Sequence, residues 1–166
     1  MSKKVYTLDD KSLQKLYNDI EDAKDDLLEK ANLFCREMAR RGVDIAKKEV
    51  LSMGAIDSGE LVGSIKLKKG DVIANGCSYY VYTDCEYAKF VEFGTGIVGE
   101  EYPHPQANDA GWKYDVNGHG DNGWWYMAND GKYHWTRGAP SRPFMHNTAV
   151  QLNSIVSGVA KEVFGK

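Results

Sequence analysis

With 166 residues, 42% of them hydrophobic and 27% charged, the chain is the size of one soluble globular domain able to bury a substantial core, and its composition excludes disorder over most of its length. A formal net charge of −3 argues against a general nucleic-acid binder, whose affinity would rest on a basic surface, while leaving room for a local basic patch. No apolar run follows Met1-Ser2-Lys3-Lys4 and nothing approaches a membrane span, so neither a secretory signal nor a membrane segment is expected.

From Leu13 to Met53 apolar residues recur near the helical period, among them Leu16, Tyr17, Ile20, Leu27, Phe34 and Val50. This predicts one long amphipathic helix or two in series, with Asp9, Asp10 and Ser12 at its start and Gly42 as the place for a bend or a close contact. Forty residues of helix would run about 60 Å, longer than one small domain covers, so part of the apolar face is expected to seek a second subunit. Asp57 and Ser58 can cap a short helical turn that buries Leu61 and Val62. Ile65 to Lys68 then alternates as a half-buried strand, Gly70-Asp71 turns, Val72 to Ala74 returns, and Tyr79 to Thr83 forms a further strand.

Next comes Tyr87-Ala88-Lys89-Phe90-Val91-Glu92-Phe93-Gly94-Thr95-Gly96. Tyr87, Phe90 and Val91 share one face of a helical turn, and Gly94 supplies the residue that closes it. Glu92 either faces water or is partly buried against a cation, because a buried unpaired charge is very costly. Arg142, held stiffly beside Pro143, is the expected partner through two hydrogen bonds, with Arg137 competing. Ile97 to Asn122 is rich in Gly, Pro, Asn, Asp and His and reads as a long surface loop. Trp124 to Ala128 and Lys132 to Thr136 flank Asn129-Asp130-Gly131, a hairpin signal. Pro143 opens a last helix with Met145, Ala149, Leu152, Val156, Val159 and Val163 inward.

The predicted fold is α+β: an antiparallel sheet of about four strands packed with a long N-terminal and a C-terminal helix, interrupted by an aromatic, Gly-rich insertion. Within this single domain the regions are 1–56 helical, 57–96 strands and central corner, 97–122 insertion, and 123–166 aromatic hairpin and final helix.

The stretch from Tyr87 to Gly96 resembles the central motif of the phage tail-completion family, the gene-product-ten-like neck proteins of long-tailed phages. Asp57-Ser58-Gly59-Glu60-Leu61-Val62-Gly63-Ser64-Ile65 before it, and Trp135-Thr136-Arg137-Gly138-Ala139-Pro140-Ser141-Arg142-Pro143-Phe144-Met145 after it, match the family in order. The resemblance implies a structural virion protein, made in the host cytoplasm and built into the neck. It would form an oligomeric ring, sixfold by expectation, between the head connector and the tail-tube or tail-terminator proteins, with DNA passing through the lumen as cargo. Tyr87, Phe90, Glu92, Phe93, Gly94, Thr95, Arg142, Pro143 and Phe144 are then structural or interaction residues. The family commonly has a much shorter segment before Pro143, so the enlarged aromatic region is a departure.

No arrangement of nucleophile, base and metal ligand emerges, so the chain reads as non-enzymatic and without a cofactor. Asp115-Val116-Asn117-Gly118-His119-Gly120-Asp121 begins like a calcium loop, yet Tyr126 stands where a bidentate Glu is needed. His104, His119, His134 and His146 share no ligand spacing and read as unrelated. Cys35, Cys77 and Cys85 lack paired spacing and read as reduced thiols. An alternative function is a cell-wall module that recognises choline or glycan through Trp112, Trp124, Trp125, Tyr126 and Trp135, although such repeats need several stacked copies.

Overall fold

The computed structural model describes residues 4–55, 59–71, 76–128 and 130–165. In chain order the elements are α1 (Asp10–Ser52), α2 (Glu60–Ser64), β1 (Lys66–Lys69), β2 (Tyr79–Tyr82), α3 (Ala88–Phe93), α4 (Gly96–Glu101), β3 (Trp124–Met127), β4 (Tyr133–Thr136), the two-residue β5 (Gly138–Ala139) and α5 (Phe144–Phe164). The expected caps Asp57 and Ser58, the return strand at 72–74 and Asn129 of the hairpin turn lie outside the described residues.

The first helix is continuous, without a split at Gly42. Asp9 caps it by accepting the Ser12 N–H at 3.0 Å, which satisfies one of the donors that a helix start leaves open. Gly42 is instead a point of close approach: a Cβ there would stand 2.8 Å from Val81 Cγ2 and 3.1 Å from Leu152 Cδ1. Ala39, Gly42, Ala46 and Val50 are the buried residues of α1, and their three- and four-residue intervals make a narrow face of mostly small side chains.

Helix α5 runs antiparallel along that face. Phe34 meets Phe164, Arg41 pairs with Glu162 at 2.5 Å, and Glu49 accepts from Asn147 and Gln151 at 3.0 and 2.6 Å. Val159 and Val163 are buried as expected, whereas Ala149 is exposed and Val156 is 37% exposed; Phe144 and Thr148 take the inner positions near the helix start. The largest fully buried side chains include Val50, Leu61, Ile65 and Phe144, which gather where α1 ends and α5 begins.

The single four-stranded sheet is corrected to two separate antiparallel pairs, β1 with β2 and β3 with β4. The chain between β2 and β3 is occupied by α3, α4 and a loop packed onto them, and the second hairpin is held on that layer away from the first. Strand β2 lies on α1, with Tyr79 Oη 3.1 Å from Asn32 Oδ1 and Cys77 Sγ 3.2 Å from the Ala31 carbonyl. Burial, followed by the hydrogen bond with Cys77, pushes the Cys35 thiol up to about 11, so it stays protonated and unreactive near neutral pH.

Candidate functional site

Helix α3 carries Glu92 at the point where the central corner meets the start of α5. The Glu92 carboxylate accepts three hydrogen bonds, from the backbone N–H groups of Met145 and His146 at 2.9 Å each and from His104 Nε2 at 3.0 Å. Pro143 is the N-cap of α5 and offers no capping side chain. The orphan amides of the first turn are therefore capped by a carboxylate from a distant segment, which also sets a negative charge at the positive end of the helix.

Arg142 does not pair with Glu92, contrary to expectation. Only its backbone reaches the corner, where its N–H donates to the Val91 carbonyl at 2.8 Å. Among the described residues neither Arg142 nor Arg137 forms an ion pair with Glu92, because helix amides and an imidazole already occupy both carboxylate oxygens. The Ser141 hydroxyl adds a bond to the Glu92 carbonyl at 2.6 Å.

Nothing in the sequence singles out His104 as a partner of Glu92, yet its side chain is 2% exposed and that of Glu92 10%. Its Nδ1 accepts the Gln106 N–H at 3.0 Å, so Nε2 carries the hydrogen given to Glu92. His146 lies edge-on to the same ring at 5.4 Å, so His104 and His146 are not unrelated, contrary to the reading from spacing. His119 and His134 remain apart, beside Asp115 and Asp130. Among the described residues no three His, Cys, Asp or Glu side chains come together as a metal site. The Asp115 carboxylate instead accepts the N–H groups of His119 and Gly120 at 2.9 and 2.7 Å, and these bonds hold its pKa below the ordinary value.

A cavity of about 730 Å³ opens between α3 and α5, with Glu92, His104 and His146 among its lining residues. Its buried carboxylate and imidazole are both committed to bonds within the chain. The arrangement locks two segments together.

The other residues expected at this corner do converge. The Tyr87 hydroxyl accepts the Leu61 N–H at 3.2 Å, Phe93 stacks on Trp112 at 4.9 Å, and Phe90 meets the same indole edge-on at 5.9 Å. Thr95 Oγ1 accepts the Ala139 N–H at 3.1 Å, the Gly94 carbonyl accepts from Trp112 Nε1 at 3.1 Å, and Phe144 is 1% exposed beneath them.

The aromatic set expected for wall binding does not form one surface. Trp112 is packed on α3, and Trp124 stacks on His119 at 4.4 Å. Trp125 and Trp135 face each other across β3 and β4 at 5.9 Å, while Tyr126 points to the opposite side with His134. Trp125, Met127, Tyr133 and Trp135 make an exposed apolar face of the hairpin.

The insertion is corrected as well, since only part of it is a surface loop. Its first residues form α4, and His104, Ala107, Trp112 and Tyr114 tie it down, the Tyr114 carbonyl accepting the Gly96 N–H at 2.8 Å. Deleting Val98 to Asn122 is expected to prevent folding, whereas replacing the exposed 116–121 segment by a short Gly/Ser link should cost about 1–2 kcal/mol, because loop closure depends weakly on length and the main loss is the stack of His119 on Trp124. Urea unfolding of both variants checks this.

The first half of α1 projects with little cover. Leu13, Tyr17, Ile20 and Leu27 are 44%, 61%, 56% and 58% exposed, although they continue the face that α5 covers farther along the helix. The family model described as "Bacteriophage HK97-gp10, putative tail-component" matches residues 10–94, from the start of α1 to Gly94. The match takes in the motif at 57–65 and most of the central one, and it stops before Trp135 to Met145, the segment that docks on Glu92 and Gly94. No curated protein and no solved structure matches the chain.

Proposed function

The chain belongs to the family of HK97 gp10-like phage tail components, and from that premise we propose that it is a structural subunit of the phage neck, which completes the tail and joins it to the head connector. It assembles with copies of itself into a ring, sixfold by expectation, that contacts tail-tube or tail-terminator proteins and lets DNA pass through its lumen. The family is a structural one, and its setting is the virion. Among the described residues no helix is long and apolar enough to cross a membrane.

The observation that carries the self-assembly reading is the uncovered apolar stripe on the first half of α1. An apolar helical face of this length usually marks a protein contact, and a closed ring needs two different surfaces on each subunit. Leu16→Glu and Ile20→Glu should each weaken association about tenfold to a hundredfold, the equivalent of losing one buried aliphatic side chain, with unchanged helical content. Light scattering over a concentration series reads this. A wild type that stays monomeric throughout would sink the self-assembly reading.

The exposed face of Trp125, Met127, Tyr133 and Trp135 supports the second reading, recognition of a host wall polymer. Retention on purified host wall that is abolished by Trp125→Ala would favour it over the neck.

A further inference from the structure

Among the described residues the β1–β2 hairpin is covered on one side only. Tyr79 and Val81 point toward α1, where Tyr79 bonds Asn32 and Val81 closes on Gly42. The register sets Lys66 opposite Tyr82 and Lys68 opposite Tyr80, and strand alternation sends these four to the other side. All four are exposed. Lys66 reaches Asp84 at 3.3 Å, and Lys68 has no ion pair among the described residues. The result is a basic, aromatic sheet face with no second layer among the described residues, although a two-stranded sheet gains stability when packed against a helix.

The first half of α1 has the opposite character. From Asp9 to Glu29 the sequence carries eight carboxylates against three lysines; Asp10, Glu21 and Asp25 fall along the Tyr17 edge of the exposed Leu13, Tyr17, Ile20 and Leu27, and Asp19, Asp22, Asp26 and Glu29 on the opposite face. Glu21 and Asp25, one turn apart, stand on that edge, with Lys24 inside the stripe 3.6 Å from Glu21. The helix cannot reach this sheet face in its own chain, because its later part already packs on the other side of the same hairpin.

We propose that the acidic first half of α1 docks across the Lys66, Lys68, Tyr80 and Tyr82 face of a second copy of this chain. The contact supplies the missing helical layer, sets aliphatic side chains against the tyrosine rings and opposes carboxylates to lysines. It is heterologous, using two different surfaces, so each subunit donates its helix to one neighbour and receives one from the other. This deepens the self-assembly reading and rests on it.

The test is a charge exchange in the full-length chain. K66E/K68E and E21K/D25K are compared singly and as an equimolar mixture by sedimentation velocity. Each variant alone is expected to associate about tenfold or more weakly than wild type, since helix and sheet then repel within a homotypic pair. The mixture is expected to recover, because every helix–sheet contact between the two variants regains opposite charges. Variants that assemble as the wild type does, or a mixture that stays dissociated, overturn this docking while leaving self-assembly in place. A monomeric wild type overturns the self-assembly reading beneath it. Loss of duplex DNA binding by K66E/K68E with association unchanged overturns it too and assigns the lysine face to the passing DNA.

Discussion

Glu92→Ala is expected to destabilise the domain by about 2–5 kcal/mol. Loss of the cap on α5 costs about 1–2 kcal/mol. The His104 Nε2–H, buried and left without an acceptor, adds about 1–3 kcal/mol. Glu92→Gln keeps one acceptor oxygen but turns an amide toward donors, so its cost should be smaller, about 1–2 kcal/mol. Arg142→Met should cost about 0.5 kcal/mol or less, because its guanidinium forms no ion pair among the described residues. Urea denaturation at constant slope measures all three. An Arg142→Met cost equal to that of Glu92→Ala would contradict the capping geometry. Glu92→Gln and His104→Leu should also be non-additive when combined, since each removes one end of the same contact.

This cap is hidden in the sequence because it has no local signature. A helix start is ordinarily read from a Ser, Thr, Asp or Asn beside the first turn, and a carboxylate brought from another helix leaves no spacing to find. A signal is present nonetheless. Pro143 marks the start of α5 and has no side-chain acceptor, so the amides that follow require one from elsewhere. Glu92 is the buried acid in need of donors, and neutral N–H groups satisfy it where a cation was expected.

The elements with strong periodicity are legible: the helical span of α1, though not its continuity through Gly42, α5 from Pro143, and the aromatic hairpin in which Trp125 lies opposite Trp135. Whether the two hairpins join in one sheet is not, because alternation within Ile65 to Lys68 or Trp124 to Ala128 states which face is buried and says nothing of which further strand lies alongside. The insertion misleads for a related reason. Its Gly, Asn and Asp residues describe what faces water, whereas its packing depends on a few anchors, Trp112 on Phe93 and His104 on Glu92, whose partners lie in another element. The Lys66 and Lys68 face shows the same limit, since the two lysines become one surface with Tyr80 and Tyr82 only through pairing.

Gly94→Ala is expected to be at least as damaging, at about 2–6 kcal/mol. Gly94 ends α3 at φ 80 and ψ 170, a region open to glycine and nearly closed to other residues, which accounts for about 1–3 kcal/mol. A Cβ there would also stand 2.7 Å from the Ser141 nitrogen, 2.8 Å from the Ala139 oxygen and 3.0 Å from the Pro140 carbonyl carbon. All three neighbours are backbone and cannot rotate away, so overpacking adds about 1–3 kcal/mol. The segment that would be displaced leads directly into the α5 turn capped by Glu92, so the two sites should fail together. Gly158→Ala is the control: that residue sits within α5 with open space where the added methyl would stand, and the substitution should stabilise the helix by about 0.5–1 kcal/mol. Thermal unfolding of the two variants separates them by sign. A Gly94→Ala protein within about 1 kcal/mol of wild type would show that the corner is not wedged against Ala139 to Ser141, and the tie between residues 87–96 and the start of α5 would then rest on the hydrogen bonds of Val91, Glu92 and Thr95.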